Sequence, residues 1–374
     1  MLDELRATPE VLYGGALALV IVLVLTPAVA AMARRVGAVD LPSPRRLNVE
    51  AVPRLGGLAL FMGIVVPSLG FLEIGQEARG LILGVAIATL VGAVDDFRGL
   101  LWWQKLAGQV AAAAVPTTFG IYIDRFTFPL LGIHELPTWL GVAATIVWVV
   151  AVMNMVNFLD GMDGLAAGVC AIAGSTFAII ALSLGKPTAA IFSAIVAGAC
   201  FGFLRHNFFP ARIFMGDSGA LLLGFALAAV AIQGLLKTAA TVALFFPLFV
   251  LAIPIVDTGF VLARRLKHGE KLHVADQAHL HFRFLRRGFS QRRAALTMYL
   301  WCITLAAAAL ATRFVPFREG GDWHLWPTLL AGSIGLVAVA FSVYVVYVLE
   351  IVKLANPRLR RRLDDEEARK LKSA

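Results

Sequence analysis

"NMVNFLDGMDGLAAG", residues 154–168, sets Asn154, Asn157, Asp160 and Asp163 at steps of three between two long apolar runs. Only 15% of this chain is charged and its mean hydropathy is +0.82, so a strip of this kind calls for a reason. A carboxylate facing lipid without a partner is costly. If the flanking runs cross a membrane as helices, the strip is a polar turn between them at one surface. Steps of three hold the four side chains on roughly one face while a helix lasts, and Gly161 and Gly164 predict its break into a tight turn.

Outward from that turn, apolar runs of about 17–25 residues recur, the length a helix needs to cross the hydrocarbon core. They lie near 11–33, 57–74, 80–95, 104–122, 138–156, 163–183, 187–204, 218–236, 239–263, 294–313 and 326–351, about eleven spans, the third and seventh being short. Barrel strands would be about half as long and would alternate apolar with polar, so helices remain. The expectation is an all-α integral membrane protein, with a polytopic domain over 1–355 and a charged cytoplasmic tail over 356–374. In the first run, Ala28-Val29-Ala30 resembles a cleavage site. Its start is not basic and Arg34-Arg35 follow as a stop signal, so it reads as a retained helix. Cys170, Cys200 and Cys302 fall inside spans without metal-type spacing and read as small core residues.

With the N-terminus outside, most of the 33 Lys and Arg residues fall on the inner side, the distribution that cytoplasmic loops favour. The C-terminus is then cytoplasmic. Five separated polar segments share that side: the loop Asp40 to Gly57, Asp95-Asp96, the 154–168 strip, "HNFFPARIFMGDSG" (206–219), and the loop Arg264 to Arg293. A transporter would place its ionisable groups near the midplane, often on interrupted helices and with internal repeats. Acids at helix ends on one side suit an enzyme that joins a water-soluble substrate to a membrane-embedded one.

Each segment has a chemistry of its own. Adjacent Asp95 and Asp96 project about 100° apart on a helix, so one can face a ligand while the other positions it; the alternative is a solvated helix end beside Arg98. Oxygen donors without His or Cys suit magnesium, commonly held by one or two protein groups plus substrate phosphates, against an Asx-rich turn capping the next helix. Asp217 starts the eighth span, as an N-cap or among glycines that let backbone approach a phosphate. Asn207 offers an amide for a base or sugar edge, or else lies in a solvated loop. Arg264, Arg265 and Arg283 match phosphate oxygens or simply mark topology, and His279 and His281 alternate as on an extended segment.

In this order, "DLPSPRRLNVEAVPRLGG", "VDD", "NMVNFLDGMDGLAAG", "NFFPARIFMGDSG", "PIVDTGFVLARR" and "ADQAHLHFR" resemble the polyprenyl-phosphate N-acetylhexosamine-1-phosphate transferases, the WecA- and TagO-like family related to MraY. The resemblance runs from about Asp40 to Gly288, and the expected spans and outside N-terminus fit it. It implies transfer of a sugar-1-phosphate, most simply GlcNAc-1-phosphate, from a UDP-sugar to undecaprenyl phosphate with release of UMP, as a membrane step of envelope polysaccharide or teichoic-acid-type synthesis. It implies magnesium, with manganese able to substitute. Asp95, Asp96 and Asp160 would be catalytic, Asn157 and Asp217 the metal site. Arg45, Arg46, Gly56, Gly57, Lys105, Asn154, Asp163, Asn207, Arg264, Arg265, His279, His281 and Arg283 would contact substrates, and Gln109 also matches the pattern. Membrane lipid is a further partner, a homodimer is compatible, and nothing calls for nucleic acid. Two departures stand out. Asn48 replaces a histidine that relatives commonly carry, and Phe282 replaces the third histidine of a His-x-His-His pattern. The lack of a His-His-His cluster favours a UDP-N-acetylhexosamine donor over the muramoyl-pentapeptide donor of the MraY branch.

Overall fold

The structure, a computed structural model, describes residues 2–41, 50–128, 132–236, 251–253, 255–259, 280–316, 318–319 and 322–348. The protein is an all-α multi-pass membrane protein. A short α1 (Leu2–Ala7) precedes α2 (Glu10–Arg35), α3 (Gly56–Phe71), α4 (Gln76–Arg98), α5 (Trp102–Thr118) and α6 (Thr138–Leu159). Then come α7 (Leu165–Ser183), α8 (Pro187–Asn207), α9 (Gly216–Val230, continued by a π-helical turn over Ala231–Leu236), α10 (Leu280–Arg286), α11 (Gln291–Phe314) and α12 (Leu325–Val348). Among the described residues, 8 of these helices are long and apolar enough to cross a membrane; α3, at 16 residues, is a shorter apolar helix. The runs that looked short in sequence extend into full-length helices of 23 residues (α4) and 21 residues (α8). The run near 239–263 lies largely outside the described residues, as does the 356–374 tail.

These helices are apolar on every side, the pattern of a helix immersed in lipid or protein. Lipid tails are as apolar as leucine, so close packing through small residues decides which faces meet. Packing of α2 on α8 runs through Gly14, Gly15, Gly198 and Gly202, and that of α8 on α7 through Gly174 against Ser193 and Ala197. Helix α9 packs against α3, α4 and α6 and is 89% buried along its span, whereas α12 is 11% buried and faces outward. The centre of the bundle is therefore α9, whose first turn carries Asp217. Cys170, Cys200 and Cys302 are free and buried, as core residues should be.

Alternating direction brings the polar segments together. Helices α4, α6 and α8 end where α3, α5, α7 and α9 begin, so Asp95, Asp160, Asn207, Lys105 and Asp217 share one end of the bundle. There a small antiparallel ladder, β1 (Val39–Asp40) with β2 (Val52–Pro53), closes the base of the first polar loop. A hairpin of β3 (Arg125–Phe128) and β4 (Gly132–Glu135) connects α5 to α6.

The extended segment expected around His279 and His281 is corrected from residue 280 onward. Residues 280–286 are helical, because Leu280 and Phe284, four apart, both point into the core, and the buried Asp257 accepts the Leu280 N–H at 2.7 Å to start the helix.

Candidate active site

The first turn of α9 has four N–H groups without helical partners. Asp96, from the end of α4, fills that gap: Oδ1 accepts the Asp217 N–H at 2.9 Å, and Oδ2 accepts the Ser218 N–H at 3.0 Å and the Ser218 hydroxyl at 2.8 Å. Gly216 turns the chain into the helix at φ +68°, and a Cβ there would collide with the Asp96 carboxylate. The N-cap expected of Asp217 itself is thus supplied from another helix. Asp217 stands at the second helical position with its carboxylate free to face the cleft.

That carboxylate meets a lysine and an amide. Asn157, on the last turn of α6, donates from Nδ2 to Asp217 Oδ1 at 2.6 Å. Lys105, on the first turn of α5, hydrogen-bonds Asp217 Oδ2, lies 2.9 Å from Asp95 Oδ2 and donates to Asn157 Oδ1 at 3.2 Å. Asp95 also accepts the Leu100 N–H at 2.7 Å, which anchors the turn between α4 and α5. Four helix ends thus place three oxygen-bearing side chains around one ammonium.

A cleft of about 450 Å³ opens beside this cluster, walled by Asp40, Arg54, Asp95, Asp96, Asp160, Asp163, Asp217 and Phe282 among others. Asp160 terminates α6, and Gly161 to Gly164 form the expected turn before α7. Burial, followed by the charges of Asp217, Asp96 and Asp163, pushes the Asp160 carboxyl well above the usual carboxylate range; Arg54 acts in the opposite direction. Burial also raises Asp163, opposed by the Ala211 N–H that its Oδ2 accepts at 2.8 Å. Arg54 reaches the same cleft while ion-paired with the buried Asp40.

Among the described residues no three His, Cys, Asp or Glu side chains form a preformed metal cage. The donor set of Asp217, Asn157 and Asp95 does fit magnesium, which takes few protein oxygens and completes its shell with water and substrate phosphate. Among the described residues, the surplus of carboxylates over cations in the cleft also leaves negative charge for a cation to meet.

Residues 78–235, from α4 through the end of α9, match the family described as glycosyl transferase family 4. The probable undecaprenyl-phosphate N-acetylglucosaminyl 1-phosphate transferase of Bacillus subtilis (strain 168) is 35% identical over 317 residues, 84% of this chain and 87% of the relative. The chain belongs to glycosyl transferase family 4. Other relatives are the decaprenyl-phosphate N-acetylglucosaminephosphotransferase of Mycobacterium leprae, 34% identical over 86% of this chain and 89% of its own, and a phospho-N-acetylmuramoyl-pentapeptide-transferase of Desulforudis audaxviator, 33% identical over 80% and 97%.

In this family 4 member the structure gathers Asp95, Asp96, Lys105, Asn157, Asp160, Asp163 and Asp217 at one cleft. It sets other expected substrate contacts apart. Gly56 and Gly57 are buried, and their N–H groups already donate to Phe214 O at 3.0 Å and Met215 O at 2.9 Å. A Cβ on Gly57 would collide with the Gly219 nitrogen and the Ser218 hydroxyl, so the pair serves close packing beneath the site instead of surrounding a pyrophosphate. Asn154 lies one turn deeper, in a reciprocal amide pair with Gln109 (2.9 and 3.2 Å). Asn207 does line the cleft, but it is buried and its amide is already engaged, accepting the Gly164 N–H at 3.1 Å and donating to Ile213 O at 2.9 Å, which ties the 160–164 turn to the 207–213 loop. Arg283 lies on α10, half-buried. Arg45, Arg46, Arg264, Arg265 and His279 lie outside the described residues, as does Asn48; His281 is placed only as part of α10.

Three residues at the site were not singled out from sequence. Asp40 and Arg54 form a wall of the cleft, and Tyr299 on α11 donates to Gly164 O at 2.6 Å, fixing the turn from behind. Opposite charges at the two edges of the first loop were the one available signal for the pair; Tyr299, 135 residues from its partner, had none.

Proposed function

We propose that the protein transfers N-acetylglucosamine-1-phosphate from UDP-GlcNAc to undecaprenyl phosphate and releases UMP, as an early membrane step in building a cell-envelope polysaccharide or teichoic-acid-type polymer. The observation that carries this reading is the cluster of Asp95, Asp217, Asn157 and Lys105 at one end of the bundle, where a lipid phosphate and a soluble nucleotide can meet. The N-acetylglucosamine named for the Bacillus and Mycobacterium relatives supports the donor. In the membrane the chain has eleven spans, the N-terminus outside, and this cleft on the cytoplasmic side of the cell membrane.

A lipid phosphate monoester is largely dianionic at pH 7. Its oxygen attacks the β-phosphorus of the donor, and the bond to the bridging oxygen breaks with its electron pair leaving on UMP. Alignment and charge neutralisation are the main tasks left to the protein. Asp217 and Asn157, with Asp95 beside them, would hold Mg2+, which supplies Lewis-acid stabilisation of phosphate charge when bound. Arg54 on the cleft wall, and Lys105 beside the cleft once released from Asp95 and Asp217, meet phosphate oxygens. Asp160, whose carboxyl is pushed above the usual carboxylate range by burial and the neighbouring acids, lines the cleft where the phosphates would lie. Asp96 holds the start of α9, and so Asp217, in place.

The test is UMP release by the purified protein in detergent with undecaprenyl phosphate, Mg2+ and either UDP-GlcNAc or UDP-MurNAc-pentapeptide. Release with UDP-GlcNAc alone, abolished by EDTA and by Asp217→Ala, supports the proposal. Release only with the pentapeptide donor moves the protein to the branch of the Desulforudis relative, and no release with any UDP-sugar returns a transporter to consideration.

A further inference from the structure

Lys105 stands where a divalent cation would stand. Its Nζ hydrogen-bonds Asp217 Oδ2 and lies 2.9 Å from Asp95 Oδ2 and 3.2 Å from Asn157 Oδ1. These oxygens come from α9, α4 and α6, and they are the hard donors that magnesium uses. An ammonium and a metal ion cannot use the same lone pairs, and as like charges a few ångströms apart they repel. Three other acids of the cleft have partners of their own: Asp96 has the start of α9, Asp163 has the Ala211 N–H and Asp40 has Arg54. Among the described residues, Asp95 and Asp217 have Lys105 alone as a cation, two charges against one.

We infer that Lys105 is the resident cation of the metal-free site: it keeps Asp95 and Asp217 together until a divalent ion displaces its ammonium, which then turns into the cleft toward the donor's phosphates. The inference rests on the metal reading of Asp217 and Asn157 proposed above. The flexible four-carbon stem allows the movement, and the side chain, 19% exposed, already borders open space. The exchange also balances charge, since a divalent ion matches both carboxylates and frees one positive charge for phosphate. Metal and donor then bind with positive coupling, because donor phosphate that draws Lys105 away vacates the metal's oxygens.

The experiment is a Mn2+ titration of the purified full chain, followed by electron paramagnetic resonance with no substrate present. Lys105→Met binds Mn2+ about tenfold tighter than wild type, the scale of one lost competing hydrogen bond to a charged group. Arg98→Gln removes an equal charge from an exposed position near Asp95 without vacating an oxygen, and leaves the midpoint close to wild type. Equal or weaker binding by Lys105→Met overturns the inference, as does equal tightening by Arg98→Gln, which would indicate a general charge effect. Absence of saturable Mn2+ binding in both wild type and Lys105→Met overturns it by removing the metal reading itself. Amine labelling of wild type, read by mass spectrometry, needs no variant: Lys105 labels faster in Mg2+ than in EDTA. Equal protection in both overturns the exchange.

Discussion

Asp96→Ala asks whether the second acid of the pair acts on the protein or on the substrate. In the structure its carboxylate accepts two backbone N–H groups and one hydroxyl at the start of α9. Losing a helix cap costs about 1–2 kcal/mol, and leaving a second half-buried donor without its partner adds about 1–2 kcal/mol. The expected destabilisation is therefore about 2–4 kcal/mol. Asp96→Asn should lose about half of that, since one oxygen becomes an NH2 group facing a donor. The assay is unfolding by SDS in mixed micelles, with UMP release measured on the same samples. Asp95→Asn is the contrast: its partners are Lys105 and one backbone N–H, so turnover falls while stability changes less. An Asp96→Ala protein within about 0.5 kcal/mol of wild type, yet inactive, would refute the cap argument and place Asp96 on the substrate.

Asp160 predicts a pH effect. Its raised pKa means the folded protein holds that proton more tightly than the unfolded chain, so its contribution is fully present below about pH 4 and is lost as pH rises through the folded value. In EDTA the melting midpoint of wild type falls over that window by a component that Asp160→Asn lacks; identical slopes would sink the assignment. Gly57→Ala forces a methyl group into the backbone of Gly219 and should cost about 1–3 kcal/mol together with UMP release, because Asp217 shifts with the helix start. A fully active, equally stable variant would contradict the packing argument. For orientation, Lys186→Cys, in the exposed turn between α7 and α8, should react with an impermeant maleimide in intact cells, whereas Arg98→Cys should react only after permeabilisation. The reverse pattern would invert the proposed topology.

Several features follow from sequence alone because they depend on short stretches. An apolar run of sufficient length must be a spanning helix whatever its neighbours, and Gly161 and Gly164 break a helix locally, so the polar turn at 160–164 was legible. The acids at helix ends were legible for the same reason, since each segment carries its own charge and its own boundary. What the side chains do there depends on distance across the fold. Asp96 and Ser218 are 122 residues apart, and Lys105 and Asp217 112. No local pattern tells a capping aspartate from a catalytic one, or shows that two glycines fit beneath a neighbouring helix. The α10 segment shows the limit within a single loop: the His-x-His spacing suggested an extended strip, but Leu280 and Phe284 had a core to enter, and that core exists only once α11 packs against the segment. Sequence set the elements and their chemistry; tertiary packing decided which carboxylate meets the lysine, which holds a helix, and which stays open to the cleft, because those choices are made by contacts between residues the chain keeps far apart.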